Sequence, residues 1–201
     1  MTVQKTSDLA ARLRASVVGA MTRFRRARPA ERPYALAVLV GQDARRIWCA
    51  VATEEGLRET VAEYRRLGYR HHDFEGDESD DQAGLLAAWL RWANPDDGWR
   101  HVELDDGDAL GDALGHAFQG DALTPAFEAF MTDVVLASLR HEPGWLAVGR
   151  SVIAGYTSGQ DPADFVRSAT RANDHQAVAT MWGEWRRGET VGRSVRPPDA
   201  V

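Results

Sequence analysis

Two apolar runs joined by a short polar turn constrain this chain more than any other feature. The first, YALAVLV, covers residues 34–40, and the second, RIWCAVA, covers residues 46–52. Short, nearly continuous apolar runs are typical of strands that are covered on both faces of a sheet. The residues between the runs include Gly and Asp, which favour a turn, so the pattern predicts an antiparallel hairpin at the centre of the fold.

Helical spacing occupies most of the remaining chain. Apolar side chains repeat three and four positions apart over residues 7–26, 54–67, 82–93, 124–141 and 161–187, with an interruption near residues 173–174. Thr53 and Thr124 are predicted N-caps, and Ser79 with Gln82 is a predicted capping box. Residues 105–120 are rich in Gly and Asp but keep apolar residues four positions apart, which allows a short further helix despite the glycines.

Two later segments complete the predicted sheet. Residues 145–156 are a predicted third strand with a bulge at Gly149, and residues 99–104 are a predicted short strand or extended loop. We therefore predict an α+β fold: a small, mostly antiparallel sheet of about three to four strands packed with about five to six helices. Residues 1–188 are expected to form this single domain, and residues 189–201 a loose tail.

Charge is unevenly distributed along the chain. Residues 1–32 carry eight basic and two acidic side chains, whereas the remainder carries 16 basic and 28 acidic ones, for a total of −6. A basic arm of this kind binds nucleic acid in some proteins. Because the first helix also carries a full apolar stripe, we favour the alternative that it packs against the acidic body of its own molecule.

The remaining composition points to the cytoplasm. The only cysteine, Cys49, lies in the second apolar run, where a buried thiol is usually inert, and one cysteine cannot form an intrachain disulfide. The first residues lack the apolar segment of a signal peptide, and no apolar run approaches the length of a membrane span. The seven tryptophans are expected to serve packing. The predicted protein is cytoplasmic and makes no contact with a membrane.

The residues TEEGLRETVAEY, at positions 53–64 directly after the hairpin, resemble the bacterial domain-of-unknown-function family 4303. The resemblance extends over about residues 5–187: an amphipathic first helix, a YALA-type strand, a second strand leading into a threonine-capped helix, a middle rich in Trp and acids, a long helix, a late strand and a C-terminal helix. Residues 105–121 depart from the pattern as an elaborated connection. The resemblance implies a soluble bacterial protein and supplies no catalytic residue.

Acidic side chains in the middle of the chain form the first candidate site. The candidate partner-binding residues are Asp73, Glu75, Asp77, Glu78, Asp80, Asp81, Asp105 and Asp106. Their spacing does not match a calcium-binding loop, and acids at helix starts have a simpler role opposite the helix dipole. The others are either a solvated surface or a negative face for a basic protein partner, whose association such a face would accelerate.

Two histidines and two carboxylates form the second candidate site, a metal site. His71 stands two positions before Asp73, and His101 stands two positions before Glu103, so an extended backbone would turn both members of a pair to one face. Imidazoles and carboxylates suit Zn²⁺ or another divalent ion. The spacing matches no established metal motif, and the same residues are equally explained as solvated polar positions.

The sequence contains no motif typical of a nucleophilic hydrolase, a zinc protease, a phosphate loop or a dinucleotide-binding fold, and it indicates no cofactor. Three interpretations of function remain. The favoured one is a non-enzymatic interaction protein whose acidic face binds a basic protein partner, for example an immunity-type protein that neutralises a toxin. The alternatives are an enzyme with an unrecognised, metal-assisted site near His71 and His101, and a nucleic-acid-binding first helix, against which the acidic remainder argues.

Overall fold

The helices and strands come from a computed structural model that describes residues 3–41, 43–71, 80–92, 98–121, 124–145, 152–157 and 162–196. The helices are α1 (Val3–Ala27), α2 (Glu54–Arg66), α3 (Asp80–Leu90), α4 (Gly107–Ala117), α5, α6 (Pro162–Ala172) and α7 (His175–Gly192). Helix α5 is α-helical over Pro125–Ala129, π-helical over Phe130–Leu136 and α-helical again over Ala137–Leu139. The strands are β1 (Pro33–Val40), β2 (Ile47–Thr53), β3 (Arg70–His71), β4 (Arg100–Val102), β5 (Ile153–Thr157) and β6 (Val195–Arg196).

Four strands form the central sheet in the order β4-β2-β1-β5. The predicted hairpin is confirmed: β1 and β2 pair antiparallel, with Val38 opposite Cys49. Strand β4 adds antiparallel to β2, and β5 adds parallel to β1. Strands β3 and β6 form a separate two-stranded antiparallel sheet. The sheet is therefore mixed, and the predicted α+β fold class is confirmed.

Both faces of the central sheet are buried, which explains why β1 and β2 are apolar at nearly every position. Leu36 and Val38 of β1 belong to a core with side chains from α1, α4 and α5. Ala35 and Ala37 face the opposite way, into a second core with α6, α7 and two tryptophans. A third cluster joins α2, α3, the end of α7 and β6. The helices thus lie in layers on both sides of the sheet.

Two predicted N-caps, Thr53 and Thr124, are confirmed, and a third cap, Asp174, was not predicted. The hydroxyl of Thr53 accepts a hydrogen bond from the Gly56 N–H at 2.9 Å, and Thr124 and Asp174 cap α5 and α7 in the same way. The last helical region is split before Asp174, as predicted. The first helix differs, because it begins at Val3 rather than near Ser7.

The predicted third strand is wrong in its first part. Trp145 is buried in a helical turn, and the strand β5 begins only at Ile153. Gly149, the predicted bulge, lies outside the described residues. The prediction failed because a short apolar run has no period that separates a buried helical turn from a strand.

The chain beyond residue 188 also differs from the predicted loose tail. Helix α7 continues to Gly192, and Val191 packs in the third cluster together with Val195. Strand β6 then pairs with β3, which places Val195 opposite His71. Residues 189–196 are therefore an ordered part of the fold, and residues 197–201 lie outside the description.

Helix α4 lies in the Gly- and Asp-rich segment, where the sequence allowed a short helix but did not establish one. Gly111 and Gly115 face the turn between β1 and β2, and a methyl group on Gly111 would lie 2.0 Å from the Arg45 carbonyl oxygen. The glycines therefore allow the helix backbone to approach the turn closely. Leu110 and Leu114 are fully buried on the same side of the helix.

Two strand edges are closed by side chains. The amide of Asn173 accepts from the Ala154 N–H and donates to the Ala154 carbonyl of β5, and the Ser168 hydroxyl does the same at Tyr156. Gln82 of α3 makes the same pair of bonds with His71 of β3. These bonds occupy backbone groups that an edge strand otherwise leaves open to further pairing.

Candidate acidic groove

A groove of about 570 Å³ lies where β2 begins and the chain leaves β4 for α4. We call it the acidic groove; its lining residues are Arg46, Ile47, Trp48, Glu103, Leu104, Asp105, Asp106, Gly107, Asp108 and Ala109. Ile47 and Leu104 are buried, and the four carboxylates are exposed. With four carboxylates and one arginine, the lining has a strongly negative balance.

The local fold explains why the carboxylates gather here. Strand β4 ends at Val102, opposite Cys49, so that the first residues of β2 have no β4 neighbour. The chain then turns through Asp105 and Asp106 before α4 begins at Gly107. The Asp106 side chain does not cap α4, which leaves its carboxylate exposed at the groove.

Helix α1 contributes one cation to this region. Arg23 donates to the Asp105 carboxylate at 2.5 Å and to the Glu103 carbonyl oxygen at 2.9 Å. Within the part of the chain that the structure describes, Glu103, Asp106 and Asp108 have no cationic partner. These contacts agree with packing of the basic first helix against its own molecule, and they leave three carboxylates of the groove uncompensated.

Of the eight predicted partner-binding acids, the structure brings Asp105 and Asp106 together in the acidic groove. Asp80 and Asp81 begin α3, and nothing is described of their side chains. The other four, Asp73, Glu75, Asp77 and Glu78, lie outside the described residues. The groove adds Asp108 and also Glu103, which the sequence suggested only as a metal ligand.

The predicted metal ligands are distributed over two sheets. His71 is buried in β3 and lies opposite Val195, whereas His101 is exposed on β4 of the central sheet, opposite Ala50. Glu103 lies in the acidic groove, and Asp73 lies outside the description. Among the described residues, no three or more His, Cys, Asp or Glu side chains are grouped so that they could hold a metal ion.

Cys49 is fully enclosed in the core, as predicted. Burial raises the pKa of its thiol to about 12, against a smaller opposite effect of the Arg23 charge. The thiol therefore stays protonated at neutral pH, and a protonated thiol is not a nucleophile.

A cluster of paired charges lies at the end of α3, and no sequence pattern indicated it. Arg91 donates to both carboxylate oxygens of Glu54, at 2.6 and 3.1 Å, and to Glu184 at 3.1 Å. Its guanidinium lies 4.3 Å from the Tyr34 ring centroid, and the Trp92 indole N–H also donates to Glu184. The hydrogen bonds from Arg91 lower the pKa of Glu54, although burial opposes the shift. The cluster joins α2, α3 and α7.

A second charged cluster surrounds Glu31, which is 9% exposed. Its carboxylate accepts from Arg28, from the Thr53 hydroxyl at 2.7 Å and from Arg100 at 3.3 Å. Burial raises the pKa of Glu31, but these three partners together outweigh it and leave the pKa lowered. Glu31 and Arg100 are far apart in sequence, so no local pattern could have revealed the contact. Every carboxylate oxygen here is engaged, which indicates a structural role.

Comparisons with known proteins found no match for the chain. No family model matches the chain, and neither a curated protein nor a solved structure is significantly similar to it. The resemblance at residues 53–64 therefore stays a prediction. None of the described helices is both long and apolar enough to cross a membrane.

Proposed function

We propose that this chain is a non-enzymatic interaction protein that binds a basic protein partner through the acidic groove. The observation that carries the proposal is that Glu103, Asp106 and Asp108, around a groove of about 570 Å³, have no cationic partner among the described residues. The two other charged clusters are saturated by internal ion pairs, so their charges are not available to a partner in the same way. Carboxylates at an accessible groove attract a cationic surface and reject an anionic one.

The shape of the groove supports a protein partner more than a diffuse ionic attraction. Trp48 is half-buried at its side, with Leu104 buried beneath the acidic rim. Interfaces combine an apolar and aromatic centre with polar groups at the rim, and arginine is frequent among their central residues. A cationic side chain of the partner would contact the carboxylates of the groove and also the ring of Trp48.

The more specific form of the proposal is toxin neutralisation. A protein with an acidic face occupies the basic substrate-binding surface of a nucleic-acid-degrading toxin by charge complementarity. This form rests on analogy, supported by the acidic body of the chain and the absence of catalytic motifs in the sequence.

Binding of a ten-residue arginine peptide tests the interaction proposal. In NMR spectra of the full chain at low salt, we expect shift changes to concentrate at residues 46–48 and 103–109. The double variant Asp106→Asn, Asp108→Asn should weaken binding by about tenfold, equivalent to about 1.4 kcal/mol. Added salt should weaken wild-type binding as well.

Glu189→Gln is a control outside the groove lining, because Glu189 is exposed on α7 and pairs with no described residue; it removes one negative charge, as does each single variant Asp106→Asn or Asp108→Asn. It should bind the peptide as the wild type does. Equal affinity of the double variant and the control, or shift changes spread evenly over the surface, would refute the groove as the binding site.

Co-expression separates the toxin-neutralising form from the general one. A basic toxin domain encoded beside this gene should lose its toxicity when the wild-type chain is present, and regain it with the double variant. A chain that binds the arginine peptide at the groove without giving protection would reject toxin neutralisation and retain the interaction.

A further inference from the structure

Trp99 carries a buried donor that finds no acceptor. Its side chain is 7% exposed, between the Tyr34 and Phe165 rings. The indole N–H donates to no atom of the described residues. Burying a donor without an acceptor costs free energy, and native proteins rarely leave one in this state.

A cavity of about 10 Å³ lies against the same side chain. Its lining includes Tyr34, Thr53, Thr60, Gly98 and Trp99. A cavity needs about 10–15 Å³ of this measure to hold one water molecule, so an organic ligand is too large. The cavity has the volume of one water molecule and polar neighbours that can form hydrogen bonds with it, so water is the occupant that fits.

The two threonines that border the cavity differ in the hydrogen bonds that their hydroxyl groups can still form. The Thr53 hydroxyl already accepts from the Gly56 N–H and donates to Glu31. The Thr60 hydroxyl donates to the Gly56 carbonyl at 3.0 Å, which leaves its oxygen as an acceptor. Thr60 also lies directly against Gly98, the residue before Trp99, since a methyl group there would be 2.0 Å from the Thr60 oxygen.

We infer that the cavity binds one structural water molecule, which accepts a hydrogen bond from the Trp99 indole N–H and donates one to the Thr60 hydroxyl oxygen. The water then links α2 to the chain that leads into β4. Buried waters of this kind typically make about three hydrogen bonds to otherwise unsatisfied groups and form part of the fold. This inference does not depend on the proposed function, because the cavity lies apart from the acidic groove residues.

Water-selective NMR on the full chain tests the inference. The Trp99 indole proton, assigned by its disappearance in Trp99→Phe, should show a dipolar cross-peak to a long-lived water. The Trp92 indole, which donates to Glu184 at 3.0 Å, is the internal reference for a direct protein hydrogen bond. If Trp99→Phe does not fold, dipolar contacts from the indole to the Tyr34 and Phe165 rings give the assignment in the wild-type chain. Absence of the Trp99 cross-peak would overturn the proposal.

Thr60 variants test the second partner of the water. Thr60→Val removes the hydroxyl and keeps the side-chain shape, so the Trp99 cross-peak should weaken several-fold or vanish. Thr60→Ser keeps the hydroxyl and should retain the cross-peak. An unchanged cross-peak in Thr60→Val would overturn the assignment of Thr60.

Discussion

The Thr53 hydroxyl bonds in two directions, and only one of them was visible in the sequence. Its bond from the Gly56 N–H caps α2, and it was predictable because an N-cap acts over three residues. Its bond to the Glu31 carboxylate spans 22 residues and depends on how β1 and β2 pair. Local sequence therefore predicted the helix start but could not reveal the charged cluster to which the same residue belongs.

Glu55 provides a prediction on pH at the same scale. Its pKa is lowered from 4.5 to about 2, chiefly because the Arg32 backbone N–H donates to its carboxylate at 2.6 Å. Since the folded pKa lies below the unfolded one, the ionised form stabilises the fold above pH 4.5, and this contribution is lost as the pH falls through about 2. Urea unfolding should show a wild-type advantage over Glu55→Gln that is full at neutral pH and shrinks in acid.

Glu189→Gln is the control for this pH series. Its stability difference from the wild type should stay small and nearly constant between neutral pH and acid, because Glu189 is exposed and pairs with no described residue. A Glu55→Gln difference that stays constant as the pH falls would show that the Arg32 contact does not stabilise the folded chain.

At the scale of elements, the outcome of each prediction depended on whether the decisive contacts are local. The spacing of apolar residues predicted α2 and α5. The glycines of α4 weakened the prediction of that helix, because they are needed for its close contact with the β1–β2 turn, which local sequence does not show. In α5, α-helical spacing predicts that Val134 is buried, but it is 41% exposed and Leu136 is buried. The π-helical hydrogen bond from the Ala137 N–H to the Thr132 carbonyl places an extra residue in the turn and changes the buried face.

Gly111→Ala tests the close approach of α4 to the β1–β2 turn. The added methyl group would meet the Arg45 carbonyl at 2.0 Å, and backbone cannot move aside as a flexible side chain can. We expect a loss of stability of about 1–3 kcal/mol or more in urea unfolding.

Gly84→Ala is the matched control, because a methyl group at this α3 position has open space around it. It should raise stability by about 0.5–1 kcal/mol, since alanine favours the helix over glycine. Equal effects of the two substitutions would contradict the packing of α4 against the turn.

At the scale of the whole molecule, ion pairs within the chain offset part of the charge asymmetry between α1 and the later segments. The basic α1 lies against the sheet, and two of its arginines pair with acids of later segments, Arg14 with Glu142 and Arg23 with Asp105. The sequence predicted this packing from the apolar stripe of α1. It could not predict which carboxylates remain unpaired, because that depends on where β4 ends and α4 begins.

Arg23→Ala should separate stability from binding. Its ion pair with Asp105 is largely exposed, so we expect stability to change by less than about 1 kcal/mol. The loss of a cation should make the acidic groove more negative and strengthen binding of the arginine peptide, with a steeper salt dependence.

Arg12→Ala is the matched control for Arg23, because Arg12 is exposed on the same helix about 16 Å away along the axis. The substitution removes the same charge from the molecule. An equal gain in peptide affinity in both variants would mean that total charge, and not the acidic groove, governs binding.

Two strand edges are closed by the side-chain amides of Asn173 and Gln82, and amides of this kind can hydrolyse slowly. Hydrolysis of the Asn173 amide would replace its N–H donor with a carboxylate oxygen facing the Ala154 carbonyl, and hydrolysis of Gln82 would do the same at His71. Either event turns an attraction into a repulsion and uncovers a strand edge. Slow deamidation during storage, followed by peptide mass, should therefore precede self-association of the aged protein.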